Sequence, residues 1–167
     1  MDLDHTYYWK VMAYDGSLYG NWSETWNFTL VSYVSVQVLN NVTFSQMAAG
    51  ISNDTTDDSP PPFVVKSYSN TYIDLSSLNV SNSLWTSQPL NTSYWQMKVR
   101  SKSDGSFNES GSMTSFFNVT NTTYVLRKLN YSSIRNNASI DVNITVPVYE
   151  DTGDKSSTVT FLFEVAN

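Results

Sequence analysis

Apolar and polar residues alternate along most of this chain, and a period of two places successive side chains on opposite faces of an extended strand. Ile140, Val142, Ile144, Val146 and Val148 alternate in one run, and Val159, Phe161, Phe163 and Val165 in another. Trp95, Met97 and Val99 interleave with Gln96, Lys98 and Arg100. Tyr7, Trp9, Val11 and Ala13 share one face of a strand, with Tyr8, Lys10 and Met12 on the other. Trp22, then Trp26, Phe28 and Leu30, form a second run after the turn Asp15-Gly16-Ser17. Val34, Val36 and Val38 begin a third, with Val42 and Phe44 in phase to extend it. Shorter strands are predicted at Phe63–Val65, around Ile73 and Leu75, at Phe116–Val119 and at Tyr124–Leu129. No segment keeps a 3.6-residue period over three turns. Many short strands joined by turn-rich loops predict an all-β fold, a sandwich or a barrel. Gly153 and Asp154 lie between the last two runs and predict a hairpin there. Pro147 falls inside the first of them and predicts an edge position or a bulge. A long acidic, proline-rich loop is predicted from Asn53 to Pro62.

Composition narrows the classes open to such a chain. With 167 residues, 40% of them apolar and 14% aromatic, it buries a core without covalent staples. Cysteine is absent, which removes disulfides, thiolate metal sites and cysteine nucleophiles. Charged residues make up only 14%, and Ser, Thr and Asn take their place. The net charge is −6, and the one dense basic group, Lys98, Arg100 and Lys102, reads as a solvated strand face before a phosphate-binding strip. That balance disfavours nucleic acid as a partner. No stretch has the roughly 18 apolar residues of a membrane span. Met1–His5 carries no secretory signal pattern, so for an exported protein Met1 is not the expected natural start.

The strongest single signal is the sequon N-x-S/T. It begins at Asn21, Asn27, Asn41, Asn53, Asn79, Asn91, Asn108, Asn118, Asn121, Asn130, Asn137 and Asn143, never with proline in the middle. Chance would place about four in so polar a chain. Sequons matter only where an oligosaccharyltransferase acts, outside the cytoplasm. Asn27, between Trp26 and Phe28, and Asn143, between Val142 and Ile144, point away from the apolar face of their strands, where a glycan has room.

Signals for chemistry are sparse. The single histidine, His5, cannot complete a Ser-His-Asp set in its terminal position. There is no Gly-rich phosphate loop, and Glu24, Glu109, Glu150 and Glu164 sit in no motif. Asp54, Asp57 and Asp58, beside Asn53, supply hard oxygen ligands of the type that holds calcium. Their loop lacks the EF-hand spacing and terminal Glu, so it reads as a solvated acidic turn before a calcium site. Tyr68, Tyr72, Trp85, Tyr94 and Trp95 have the chemistry to stack on sugars, or else to fill a core or an interface.

Residues 6–30 resemble the last two strands of a fibronectin type III domain. The features are the Tyr7-x-Trp9-x-Val11-x-Ala13 strand and Trp22-Ser23-Glu24 before the final strand. The resemblance puts Tyr7 at the tyrosine corner of such sandwiches. The remainder, 31–167, resembles an Ig-like sandwich of the kind repeated in archaeal surface and filament proteins. That likeness rests on Val34–Phe44, Met47, Gly50 and the Asn53–Pro60 stretch before Phe63. These likenesses imply an N-terminal strand pair at 1–30, which packs on the rest of the chain or on a neighbouring subunit, followed by a sandwich at 31–167. The implied function is a non-enzymatic structural subunit of an extracellular, N-glycosylated filament, pilus or surface layer, assembling head-to-tail with copies of itself by strand complementation. The alternative is an adhesin or carbohydrate-binding module of a larger cell-surface protein.

Overall fold

The computed structural model describes residues Met1–Asn167, and apart from one short 3-10 turn at Glu109–Gly111 its regular elements are all β-strands. Every strand pairing is antiparallel. The chain divides into two compact units, Met1–Tyr33 and Val34–Asn167.

The first unit is one long, interrupted hairpin. Strands β1 (His5–Trp9) and β4 (Trp26–Leu30) pair from His5↔Leu30 to Trp9↔Trp26. Beyond them β2 (Met12–Tyr14) pairs with β3 (Tyr19–Trp22). The turn is closed by Asp15, whose Oδ1 accepts from the Ser17 and Leu18 amides at 2.9 and 2.8 Å, with Gly16 at φ 99°. Ser23 stitches the interruption: its amide donates to the Val11 carbonyl and its hydroxyl accepts from the Val11 amide. The break changes the predicted pattern. An extra residue in one strand shifts the two-residue phase. Tyr7 and Trp9 therefore share a face in β1, while beyond the break Met12 is half-buried and Val11 and Ala13 are exposed.

The second unit holds two sheets. In the larger, β10 (Phe117–Asn118), β9 (Trp95–Ser101), β12 (Asn137–Thr145), β7 (Phe63–Ser67) and β5 (Val36–Val38) run side by side in that order, and β6 (Ser52–Asp54) also pairs with β12. The smaller has β11 (Thr122–Leu129), β8 (Ile73–Val80) and β13 (Val159–Val165). Trp95, Met97, Val99, Ile140, Val142 and Ile144 from the first sheet and Ile73, Leu75, Leu78, Leu126 and Leu129 from the second form one buried cluster. A core shared by two antiparallel sheets is the arrangement of a β-sandwich. Each such side chain contributes about 1.5–3 kcal/mol relative to an exposed one.

Three expectations are corrected here. The last two strands are not a hairpin: β12 lies in the larger sheet and β13 pairs with β8 in the smaller. Alternation marks a strand but does not name its partner, and residues 146–158 carry the chain from one sheet to the other. β12 also stops at Thr145, before Pro147, which sits in the crossing connection. Finally, the run from Val34 ends as a strand at Val38. The Leu39 amide still reaches Val64, but Asn40 then faces Pro62, a residue with no N–H to give, and bonds it through its side chain instead.

The Asn53–Pro62 loop is more ordered than its composition suggests. One edge of β12 is paired with β7 over Asn137–Ile140 and with β6 over Asn143–Thr145, and residues 55–62 leave the ladder between the two. Thr55 is fully buried, donates its amide to the Val142 carbonyl and accepts from the Val142 amide. The excursion thus covers the outer face of β12, and residues on both faces of that strand are buried.

Candidate functional site

The sequon asparagines are spread over both units. Asn21 and Asn27 in the hairpin are exposed, as are Asn41, Asn53, Asn79, Asn91, Asn108 and Asn121 in the sandwich. Asn27 pairs across with Tyr8, on the face opposite Tyr7 and Trp9, as the alternation predicts. The remaining four are less available. Asn130 is 8% exposed, donates its Nδ2 to the Gly105 carbonyl and accepts from the Ser132 amide. Asn118 and Asn143 are half-buried in an amide row that crosses the larger sheet. Gln96 Nε2 donates to Asn118 Oδ1 at 3.0 Å, and Asn143 Nδ2 donates to Gln96 Oε1 at 3.1 Å. Asn118 Nδ2 donates in turn to the Asn91 carbonyl. Asn137 is half-buried at the start of β12. A glycan is carried on Nδ2, so an acceptor needs that nitrogen free and facing solvent.

The acidic loop and the basic strand, read separately in the sequence, meet each other. Arg100 donates from Nε to Asp141 Oδ2 at 2.8 Å and from Nη2 to Asp58 Oδ1 at 2.6 Å, while Lys102 Nζ lies 3.6 Å from Asp58. Asp141 is fully buried under this cover and also accepts from Thr55 Oγ1. The hydrogen bond from Arg100 holds the Asp58 carboxyl below its ordinary range, and two carboxylates hold the Arg100 guanidinium above its own. Asp54 caps Thr56, and Asp57 caps the Ser59 amide. Burial raises the Asp54 carboxyl, but hydrogen bonds from Thr56 and the nearby Lys98 charge outweigh it and leave it low. Asp54 and Asp57 line a shallow polar hollow of about 290 Å³ with Ser52, Asn53, Thr56 and Asn143. No group of three or more Asp, Glu, His or Cys side chains comes together in a way that could hold a metal, here or elsewhere in the chain. Lys98 lies over the Phe116 ring at 4.6 Å.

Glu150 stood in no motif, yet the structure makes it the most heavily bonded carboxylate. It accepts from the Thr86 amide and hydroxyl at 2.9 and 2.7 Å and from the Ser87 amide and hydroxyl at 2.9 and 2.5 Å, and it pairs with Lys155 at 2.5 Å. Burial opposes its charge, but Lys155 and the Ser87 and Thr86 donors prevail and hold the carboxyl well below 4.5. These bonds clamp residues 86–87 to the crossing connection. No sequence signal marks it, because its Thr86 and Ser87 donors lie more than sixty residues upstream.

Beside this clamp runs a groove of about 900 Å³ with apolar walls that include Phe44, Met47, Phe63, Trp85 and Val159. Trp85 and Trp95 are buried in the core, Tyr94 is half-buried, and Tyr68 and Tyr72 are exposed. The Tyr72 ring meets Tyr131 edge-on at 5.2 Å. The five therefore do not form one exposed platform.

The hairpin presents a different surface. Tyr7 stacks on Phe28 at 5.6 Å and Trp9 lies against Trp26 at 4.7 Å, each pair directly across β1 and β4. Tyr14 stacks on Tyr19 at 4.5 Å, and Lys10 caps Trp22. No residue from Met1 to Tyr33 is buried, and Trp9 and Trp26 are 47% and 44% exposed. The Tyr7 hydroxyl donates to the Asp2 carbonyl, five residues upstream, at 3.1 Å. His5, exposed on β1, has Nδ1 3.0 Å from the Leu3 carbonyl. Comparison with known proteins finds no matching family model, no matching curated protein and no matching solved structure.

Proposed function

We propose that this chain is a structural subunit of an extracellular, N-glycosylated filament or surface layer, built by head-to-tail contact between copies. The observation that carries the reading is the placement of the sequons: eight acceptor asparagines stand exposed, on both units. Chance would place about four sequons in so polar a chain, and eight of the twelve here stand where an oligosaccharide has room. The fibronectin type III reading of the hairpin is supported by the Tyr7 hydroxyl bond to Asp2, which has the form of a tyrosine corner. The Ig-like reading of the second unit is supported by its two antiparallel sheets around one core. The hairpin's uncovered aromatic face supports assembly, because apolar surface rimmed by polar residues marks contact sites.

The alternative is an adhesin or carbohydrate-binding module, favoured by the exposed rings of Trp9, Trp22 and Trp26 in one hairpin. Peptide-level mass spectrometry on protein purified from its own cells separates the proposal from a protein that carries no glycans. The expected result is hexose-bearing peptides at several of Asn21, Asn27, Asn41, Asn53, Asn79, Asn91, Asn108 and Asn121. Unmodified peptides at all of them would overturn the reading. A glycan array on which the protein binds a defined sugar, abolished in Trp9→Ala or Trp26→Ala, would move the alternative ahead.

A further inference from the structure

The two long seams of the sandwich differ. On the side of β10 and β11, residues 106–119 stitch the sheets together with backbone hydrogen bonds. The Val99 amide donates to the Met113 carbonyl at 2.8 Å, and the Met113 amide donates onward to Val125 at 3.0 Å. The Asn108 amide reaches Arg127, and the Val119 amide reaches Trp95. The opposite seam lies between β5 and β13, each the last strand of its sheet. Phe63 on β7 meets Phe161 on β13 at 5.4 Å, so β13 lies over β7 and the smaller sheet offers no strand to lie over β5. The consequences are visible in the side chains. Val159, Phe161 and Phe163 point toward the core but stay half-buried, Val36 is half-buried and Val38 is 40% exposed.

The free edge of β13 carries few of the usual defences. Proteins blunt exposed edges with Lys, Pro, inward charges, very short strands or bulges, and of these the strand shows only one register shift against β8, between Leu162 and Phe163. β13 is seven residues long, Val-Thr-Phe-Leu-Phe-Glu-Val, with Glu164 as its single charge. A bare apolar edge beside an open seam is a template for one more antiparallel strand.

We infer that the β5–β13 seam is the acceptor for the Met1–Tyr33 hairpin of a second copy, which extends the smaller sheet along the free edge of β13. This rests on the assembly reading above and names the surface that reading leaves open. The hairpin supplies what the seam lacks: strand edges free on the outer sides of β1 and β4, and one apolar face of Tyr7, Trp9, Trp26 and Phe28 with no cover of its own. With that face laid over Val36 and Val38, Asn27 on the reverse side keeps its glycan in solvent. Each copy then offers one donor and one acceptor, and because they are different surfaces the contact is heterologous and propagates.

The test combines sedimentation velocity over a concentration series with amide hydrogen exchange, on the full chain and on Trp9→Ser/Trp26→Ser. The substitutions lie in the first unit and leave every core residue of the sandwich in place. The expected result is concentration-dependent association, with the amides of Val159–Val165 gaining protection as it proceeds. In the double variant association weakens on the order of thirtyfold or more per tryptophan. Association without a change at Val159–Val165 would overturn the seam assignment and leave the assembly reading standing. A monomer whose β13 amides are already protected through the hairpin would overturn the second copy as the occupant. A monomer with β13 unprotected at every concentration would overturn both.

Discussion

The hairpin and the sandwich are written in the same alternating code and end in opposite states. In β9 the odd-numbered residues Trp95, Met97 and Val99 are buried and their neighbours half-exposed. In β1 and β4 the aromatic residues stand in equally good register, yet none is buried. The local signal is identical, because period-two patterning specifies a strand with one apolar face. What covers that face is a tertiary matter. The sandwich has a second sheet to do so, whereas the hairpin stabilises itself through cross-strand ring pairs. Those pairs are worth roughly 0.2–1 kcal/mol each, far less than burial in a core. The lesson is that aromatic content measures appetite for contact, not possession of it.

The contrast can be broken most strongly at Arg100. Arg100→Ala leaves Asp141 buried without its cation, and the second unit is expected to lose about 3–5 kcal/mol in denaturant unfolding. Leu75→Ala, in the fully buried cluster, is expected to cost about 2–5 kcal/mol by the same measurement. Acid is the next lever. The Glu150, Asp58 and Asp54 carboxyls are held low in the folded chain, so the unfolded chain takes up protons first. Their stabilisation is complete above the ordinary values, 4.5 for Glu and 3.8 for Asp, and is lost as pH falls below them toward the folded values. Thermal melts from pH 7 downward are expected to stay level to about 4.5 and then decline, less steeply in Glu150→Gln. The smallest effect belongs to the hairpin. Trp9→Ser in dilute protein is expected to change the unfolding free energy of the sandwich by no more than about 0.5 kcal/mol. A loss on the scale of Leu75→Ala would contradict that expectation.

Glycan occupancy sharpens the comparison on other ground. Asn118, Asn130 and Asn143 already donate their Nδ2 within the fold, so glycopeptide mapping is expected to find them unmodified while Asn21 and Asn27 are occupied. Modification at Asn130 would contradict its packing against Gly105 and Ser132.

Local facts were legible in the sequence and partnerships were not. The strands at Trp95–Ser101 and Val159–Val165 were readable because alternation is a property of neighbours in the chain. The turn at Asp15-Gly16-Ser17 was readable because Asx chemistry and a positive-φ glycine act within four residues. The false hairpin between β12 and β13 shows the limit. Gly153-Asp154 signals a turn, but whether the next strand returns to the same sheet or crosses to the other depends on β8, some eighty residues away. Asp58 and Arg100 show it again: an acidic loop and a basic strand each read first as a solvated surface, and each is the other's partner. Asn143 faces outward as its alternation requires, but the amide row that engages it needs Gln96 and Asn118 from two other strands.

Negative-stain electron microscopy of the protein taken from its own cells tests the central claim most directly. The account predicts filaments or sheets with a regular subunit repeat. Isolated single particles at every concentration reached would contradict it.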